Sequence, residues 1–363
     1  MNKNRLILTI EVIATVIVLL IIMKVKNKSF DFLLELLLDV FILAIATIVT
    51  LIVHELGHLV FGLLTGYGFG SFRIFNQLFM KQHDKIIRKT FSVPGTLGQC
   101  LLTPPPCNNG KIPYILYNLG GILFNIIVAT IFLVIGLNFH FENRLLHLFC
   151  AFMTLVGYLF VPVNGIPFGR SFPNDGYNTL VIGKNKDSLK GYYTGLKINE
   201  LYLQGKTIKD IDDELLTLSE HPDLKNVMTS SILIFQEQKF MALKQFSKAY
   251  TIIEKCLQGE CVCVWLHEAM LKLDKLYIDI LKNPDTVDLS ILEESTVKKL
   301  INPIPDKPSI IRTLYAVAVY KNDSAQQATL KQKMLQLKTK TTTLFPQDVE
   351  FELELMELCT KDR

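Results

Sequence analysis

Charge is scarce in this chain. Only 20% of its 363 residues are Asp, Glu, Lys or Arg, and the formal net charge is +4. With so small a balance, and no basic stripe interleaved with aromatics, a nucleic-acid partner is excluded. A repeated CxxC spacing is also missing: the seven cysteines, Cys100, Cys107, Cys150, Cys256, Cys261, Cys263 and Cys359, are odd in number and scattered, which excludes a disulfide framework. Cys256, Cys261 and Cys263 lie close together, but Cys261-Val262-Cys263 has the wrong spacing for a zinc knuckle and sits in a helical pattern. They read as reduced thiols behaving as small hydrophobes. A signal-peptide cleavage site is lacking too. The apolar run over residues 6–23 follows Lys3 and Arg5, is longer than a signal core, and is succeeded by Lys24 to Lys28 with no small-residue site. It reads as a retained span.

What the chain has in abundance is apolar surface. Half of its residues are hydrophobic, which marks a membrane protein with a soluble part. Crossing about 30 Å of hydrocarbon takes about 20 mostly apolar residues in a helix. Four stretches qualify, at 6–23, 38–64, 114–137 and 146–163. Lys3, Arg5, Arg73, Lys81, Lys85, Arg88, Lys89 and Lys111 fall on one side of this arrangement, against Lys24, Lys26, Lys28 and Arg144 on the other. The imbalance predicts a cytoplasmic N-terminus, and four spans return the C-terminal half to the cytoplasm.

Between the second and third spans, Gly68 to Pro106 is too polar to cross a membrane, and it alternates near Ser71 to Phe75 and Ile86 to Val93. That pattern predicts a small hairpin or two at the membrane surface. Beyond about Leu180, apolar residues recur at helical spacing, as in Ile211 to Leu218, Ile232 to Ile253, Leu266 to Leu281 and Ile310 to Val319. Breaks at His221-Pro222-Asp223, Asn283-Pro284-Asp285 and Asn302 to Pro308 suit either an array of α-hairpins similar to tetratricopeptide (TPR) repeats or a plain helical bundle. The expected fold is therefore an α-helical multi-pass membrane protein of about four spans with a small membrane-surface β-hairpin, carrying a cytoplasmic all-α, TPR-like domain. Residues 1–37 form the first span and connector, 38–180 the membrane core, and 181–363 the soluble helices.

One span carries chemistry. His54-Glu55-Leu56-Gly57-His58 puts two imidazoles four residues apart, about 40° apart around a helix, so both reach one ion. Glu55 follows the first ligand and reaches a water at that ion without ligating it. Three ionisable side chains in so apolar a helix each cost on the order of 3 kcal/mol or more at membrane depth. A structural role would have to explain all three in metal-ligand spacing. Catalytic zinc takes three protein ligands, so a third must come from elsewhere. The candidates are Asp175, His140, Glu142 and His147, of which the last three fall on the far face and Asp175 on the near one.

With these motifs the chain resembles the site-2 proteases, a family of intramembrane zinc metalloproteases. His54 to His58 matches the family's first motif and Asp175-Gly176 its second, with Asn164 and Pro167 similar to the Asn and Pro that precede the aspartate. Gly120-Gly121-Ile122-Leu123-Phe124-Asn125 looks like the Gly-rich, Asn-ending pattern of the intervening span. The resemblance covers roughly residues 40–180 and says nothing of the helical half. It implies Zn2+ as cofactor, His54, His58 and Asp175 as its ligands, Glu55 as general base, and Asn125 and Asn164 as substrate-binding residues. The segment from Phe168 to Asn174 is longer and more polar than the family's compact version.

The expected activity is hydrolysis of peptide bonds in or near transmembrane segments of membrane-anchored substrates, in a bacterial cell membrane. Substrate is expected to add as a strand to the segment from Ser71 to Val93. The helical half is expected to recruit a cytoplasmic protein partner. A catalytically idle scaffold and a zinc carrier are the competing functions, and Glu55 argues against the scaffold, which needs no base.

Overall fold

The computed structural model describes residues 30–82, 85–93, 96–107, 110–167, 173–339 and 345–361. The expected span over 6–23 lies outside them. Among the described residues the chain forms thirteen α-helices and a small antiparallel sheet. Its contacts divide it into two units: Met1–Asn76, Gly95–Pro105 and Pro113–Leu180 in the first, and Gln77–Pro94, Pro106–Ile112 and Val181–Arg363 in the second.

In the first unit, three helices are long and apolar enough to cross a membrane: α1 (Phe30–Leu64), α2 (Tyr114–Asn138) and α3 (Arg144–Gly165). Helix α1 starts before the expected residue 38, because Glu35 and Asp39 lower hydropathy without breaking a helix. The polarity of this bundle is inverted relative to a soluble one. Leu37, Phe41, Ile48, Ile131, Val134 and Leu155 are exposed, whereas Asp39, Thr50, His54, Glu55, His58 and Asn125 are buried. Such an arrangement suits hydrocarbon outside and polar function inside.

Helices α1 and α3 meet over Ile42, Leu43, Ala46, Phe152, Met153 and Val156, and α2 packs Val128 and Phe132 against them. Arg144 Nη2 donates to Asp39 Oδ1 at 2.6 Å, so the first turn of α3 lies beside the early turns of α1. Two glycines set the distance between α1 and α2. A Cβ on Gly57 would lie 2.3 Å from the Gly120 carbonyl oxygen, and one on Gly120 would lie 2.5 Å from that of Gly57. Gly66 serves differently, ending α1 at φ +90° while Tyr67 N–H bonds back to Gly62 O.

Strand β1 (Gly68–Ile74) is joined to α1 by this turn and pairs antiparallel with β4 (Gly98–Thr103), Phe72 opposite Cys100. The hairpin of β2 (Gln77–Gln82) and β3 (Lys85–Thr90) belongs to the second unit. There Leu78 and Met80 bury against Leu203, with Ile87 and Phe91 packed on the same cluster.

After α4 (Asp175–Ile182), the second unit continues with α5 (Lys186–Leu203), α6 (Asp213–Leu216), α7 (Val227–Ala242), α8 (Phe246–Leu257) and α9 (Trp265–Lys282). It closes with α10 (Ser295–Ile301), α11 (Pro308–Tyr320), α12 (Ser324–Thr339) and α13 (Pro346–Lys361). The helix expected over Ile232 to Ile253 is two helices. Lys244 takes a left-handed φ of 58°, and Gln245 N–H bonds to Phe240 O at 2.8 Å, a helix-ending turn built without glycine. The one expected over Ile211 to Leu218 is a single turn, capped by Asp212. One core runs through α7 to α9 and α11 to α13, with Ile253, Leu276, Tyr277, Ile311 and Val349 fully buried.

Candidate metal centre

Helical spacing puts His54 and His58 on the inner face of α1, and their Nε2 atoms stand 3.2 Å apart. Asp175 Oδ2, from the start of α4, lies 3.1 Å from His54 Nε2 and 3.4 Å from His58 Nε2. Of the four candidates for a third ligand, Asp175 is the one grouped with the histidines.

How Asp175 reaches them is explained by its two neighbours. Asn174 is buried; its Nδ2 donates to Val163 O and Ile166 O at 3.0 and 2.6 Å, and its Oδ1 accepts from Tyr177 N–H at 2.9 Å. It therefore caps α4 and ties it to the end of α3. On the other side, a Cβ on Gly176 would lie 1.9 Å from Gly165 O, so only glycine permits the approach. Part of the longer, polar stretch before Asp175, residues 168–172, lies outside the described residues.

Donor chemistry tests whether these residues fit a metal. His58 Nδ1 faces Tyr117 O at 2.8 Å and must carry the hydrogen, which leaves Nε2 of the neutral ring as a bare lone pair. His54 Nδ1 faces the Asn125 carboxamide, with Nδ2 at 3.1 Å, while Asn125 Oδ1 is buried without a partner. Turning that carboxamide over exchanges its nitrogen and oxygen without changing its shape. Oδ1 then accepts from His54 Nδ1–H, and His54 Nε2 is bare as well. Two imidazole lone pairs and a carboxylate oxygen converge at 3.1–3.4 Å, a donor set that a cation between them would satisfy. Zinc bonds of about 2.0–2.2 Å to nitrogen and oxygen set tetrahedral donors about 3.3–3.5 Å apart, so the triangle fits.

Glycines make room for this arrangement. A Cβ on Gly121 would lie 2.6–2.7 Å from three atoms of the His54 ring, and one on Gly98 would lie 2.3 Å from Glu55 Oε1. Glu55, a residue 7% exposed, thus has its carboxylate against the backbone of β4. Arg73, which the sequence reading takes as a loop charge, is buried in β1 and holds this place. It donates to Phe75 O at 2.6 Å, Gly98 O at 3.3 Å and Thr96 Oγ1.

Tyr117 is the other residue that sequence reasoning missed. Its hydroxyl donates to Cys100 O at 2.7 Å and accepts from Leu102 N–H at 3.3 Å. These groups point away from β1, since alternate residues of a strand present their amides to opposite edges. Of the expected substrate-binding residues, Asn125 contacts a histidine, and Asn164 does not: its amide donates to Phe160 O of its own helix at 3.1 Å. No family model, curated protein or solved structure matches this chain.

Proposed function

We propose that this chain is a zinc-dependent intramembrane endopeptidase of the site-2 protease kind, acting on peptide bonds in or near transmembrane segments of membrane-anchored substrates. The observation that carries the reading is the convergence of His54 Nε2, His58 Nε2 and Asp175 Oδ2 beside Glu55, within a bundle of membrane-length helices. His54, His58 and Asp175 hold the metal. When bound, zinc supplies a Lewis acid for the scissile carbonyl and lowers the pKa of water to about 7.

The remaining chemistry belongs to side chains. Glu55 takes a proton from the attacking water and returns it to the leaving amine. Asn125 and Tyr117 O hold the two imidazoles with Nε2 turned inward. Helix α3 ends at Gly165, and irregular backbone of this kind, tolerated at membrane depth where it lines a cavity, gives water a polar route.

A transmembrane helix has its amides satisfied internally and must open before cleavage. The extended substrate adds to β4, one of the two terminal strands of the sheet, at Gly98 beside Glu55, short of the point where Tyr117 covers the edge at Cys100 and Leu102. Within the expected segment, Ser71 to Val93, the other terminal strand is β3, where Ile87 packs on the cluster of the second unit. The protein sits in a bacterial cell membrane with both termini cytoplasmic, and its TPR-like helices recruit a cytoplasmic protein or substrate tail.

The test compares membrane-protein fragments in cells carrying wild-type protein and Glu55→Gln. General-base loss lowers turnover by about 10²–10⁴-fold, so a fragment disappears while zinc content stays at the wild-type value. An unchanged fragment pattern, with a Glu55→Gln protein that keeps full biological effect, hands the function to the scaffold reading.

A further inference from the structure

We propose that Cys256, Cys261 and Cys263 form a second metal site, in the helical unit, which takes a soft closed-shell ion through three thiolates, with Cu(I) as its occupant. The three Sγ atoms all lie within 4.8 Å of one another, and those of Cys261 and Cys263 are 3.5 Å apart. Metal–sulfur bonds of about 2.3 Å place three sulfurs in a plane about 4.0 Å apart, so small side-chain rotations close the triangle on an ion.

The backbone is built to hold this arrangement. Cys256 lies in the last turn of α8, and Gly259 at φ +83° reverses the chain immediately after it. Val262 N–H then bonds to Leu224 O at 2.9 Å, and Lys225 Nζ to Gly259 O at 2.9 Å, fastening the loop at both ends. The contact of Cys261 with Cys263 shows that both turn their thiols to the same side of the chain across Val262. A Cys-x-Cys spacing, wrong for a zinc knuckle, thus still brings two sulfurs together.

Access and charge fit as well. Cys261 is buried and Cys263 half-buried, so the cluster opens on one side. Lys255 and Lys225 lie near Cys261, and their charges offset the negative charge that three thiolates bring to one ion. Among the described residues the grouping contains three donors and no fourth. Zinc in structural sites takes four, whereas Cu(I) is selected by thiolates and accepts three. A core thiol of the ordinary kind looks different: Cys359 donates to Leu355 O of its own helix.

The experiment uses the full-length protein, purified anaerobically in detergent, with His54→Ala and His58→Ala introduced so that the membrane site does not contribute. Cu(I) is titrated against a chromogenic chelator. One Cu(I) per chain is expected, accompanied by a sulfur-to-metal charge-transfer band in the ultraviolet. Cys261→Ser with Cys263→Ser removes both, and Cys100→Ser removes neither. Should the double variant fold poorly, alkylation of the parent protein supplies the answer, because bound Cu(I) protects Cys256, Cys261 and Cys263 from iodoacetamide and leaves Cys107 reactive. Uptake that does not depend on these thiols, unchanged alkylation, or a disulfide among the three in anaerobic protein would overturn the site. Preferential retention of Zn(II) over Cu(I) would overturn the choice of ion.

Discussion

Asn125 decides which nitrogen of His54 is free to bind. If its oxygen faces Nδ1, the carboxamide is an acceptor, and a carboxylate does the same work. Asn125→Asp is therefore expected to keep zinc affinity near wild type, whereas Asn125→Leu loses about 10–100-fold, the usual effect of removing a group that orients a ligand. Competition with a zinc chelator measures both. The opposite order, with aspartate the worse substitute, would mean that Asn125 donates and that His54 presents N–H to the centre. This residue entered the sequence reading through a glycine-rich resemblance, as a substrate contact, and the structure places it beside His54 Nδ1. His54, Glu55 and His58 were legible because one helix brings them together by spacing alone. Asp175 was legible from the order of spans. Asn174, Tyr117 and Arg73 were not, because each acts through backbone groups remote in sequence, and nothing in their neighbours announces it.

At the level of elements, the depth of contact between α1 and α2 is set by backbone rather than by side chains. Gly120→Val places methyl groups where the Gly57 carbonyl already is, and backbone cannot rotate out of the way. Overpacking of this kind costs about 1–3 kcal/mol, and since His58 Cα lies 3.1 Å from the added Cβ, zinc content should fall with stability. Thermal unfolding and metal analysis of the same preparation check the pair of effects. The second unit carries a charge cluster joining α9, α11 and α13, in which Arg312 bonds Asp274 and lies 3.4 Å from Glu352. Burial pushes the Glu352 carboxyl up to about 7 against the pull of Arg312, and Asp348 up to about 6 against Tyr202 and Lys307. Both values exceed the ordinary ones, so in that window the folded state holds protons that the unfolded state has released. Stability is then highest on the acid side and falls as pH rises from about 4 through about 7, and Glu237, buried against the same charges and raised well above its ordinary value, continues the fall. Melting of the helical unit at a series of pH values should show that slope, and Glu352→Gln should flatten it. Such a cluster was hidden in the sequence, where the four charges are spread from Asp274 to Glu352. The break at Lys244 was hidden for a related reason: no glycine or proline marks it, and packing of α7 and α8 compels the turn.

For the whole molecule, the order of residues along the chain is a poor guide to which parts fold together. The hairpin of β2 and β3 lies in sequence between membrane-length helices, which is why it reads as part of the membrane core. Its buried face says otherwise, since Leu78 and Met80 are 6% and 1% exposed and cluster with Leu203, more than a hundred residues on. Burying side chains of this size contributes about 1.5–3 kcal/mol each, more than a two-stranded hairpin can replace alone. A chain cut after Leu180 is accordingly expected to keep its zinc, because every group that orients His54, His58 and Asp175 precedes the cut. It should lose the hairpin, which limited proteolysis would detect as new cleavage between residues 77 and 94. A truncated protein that keeps both its zinc and a protected hairpin would mean that β2 and β3 fold without the helices. One that loses its zinc would mean that the helical half supports the metal centre itself, and that the two units are more tightly coupled than their cores indicate.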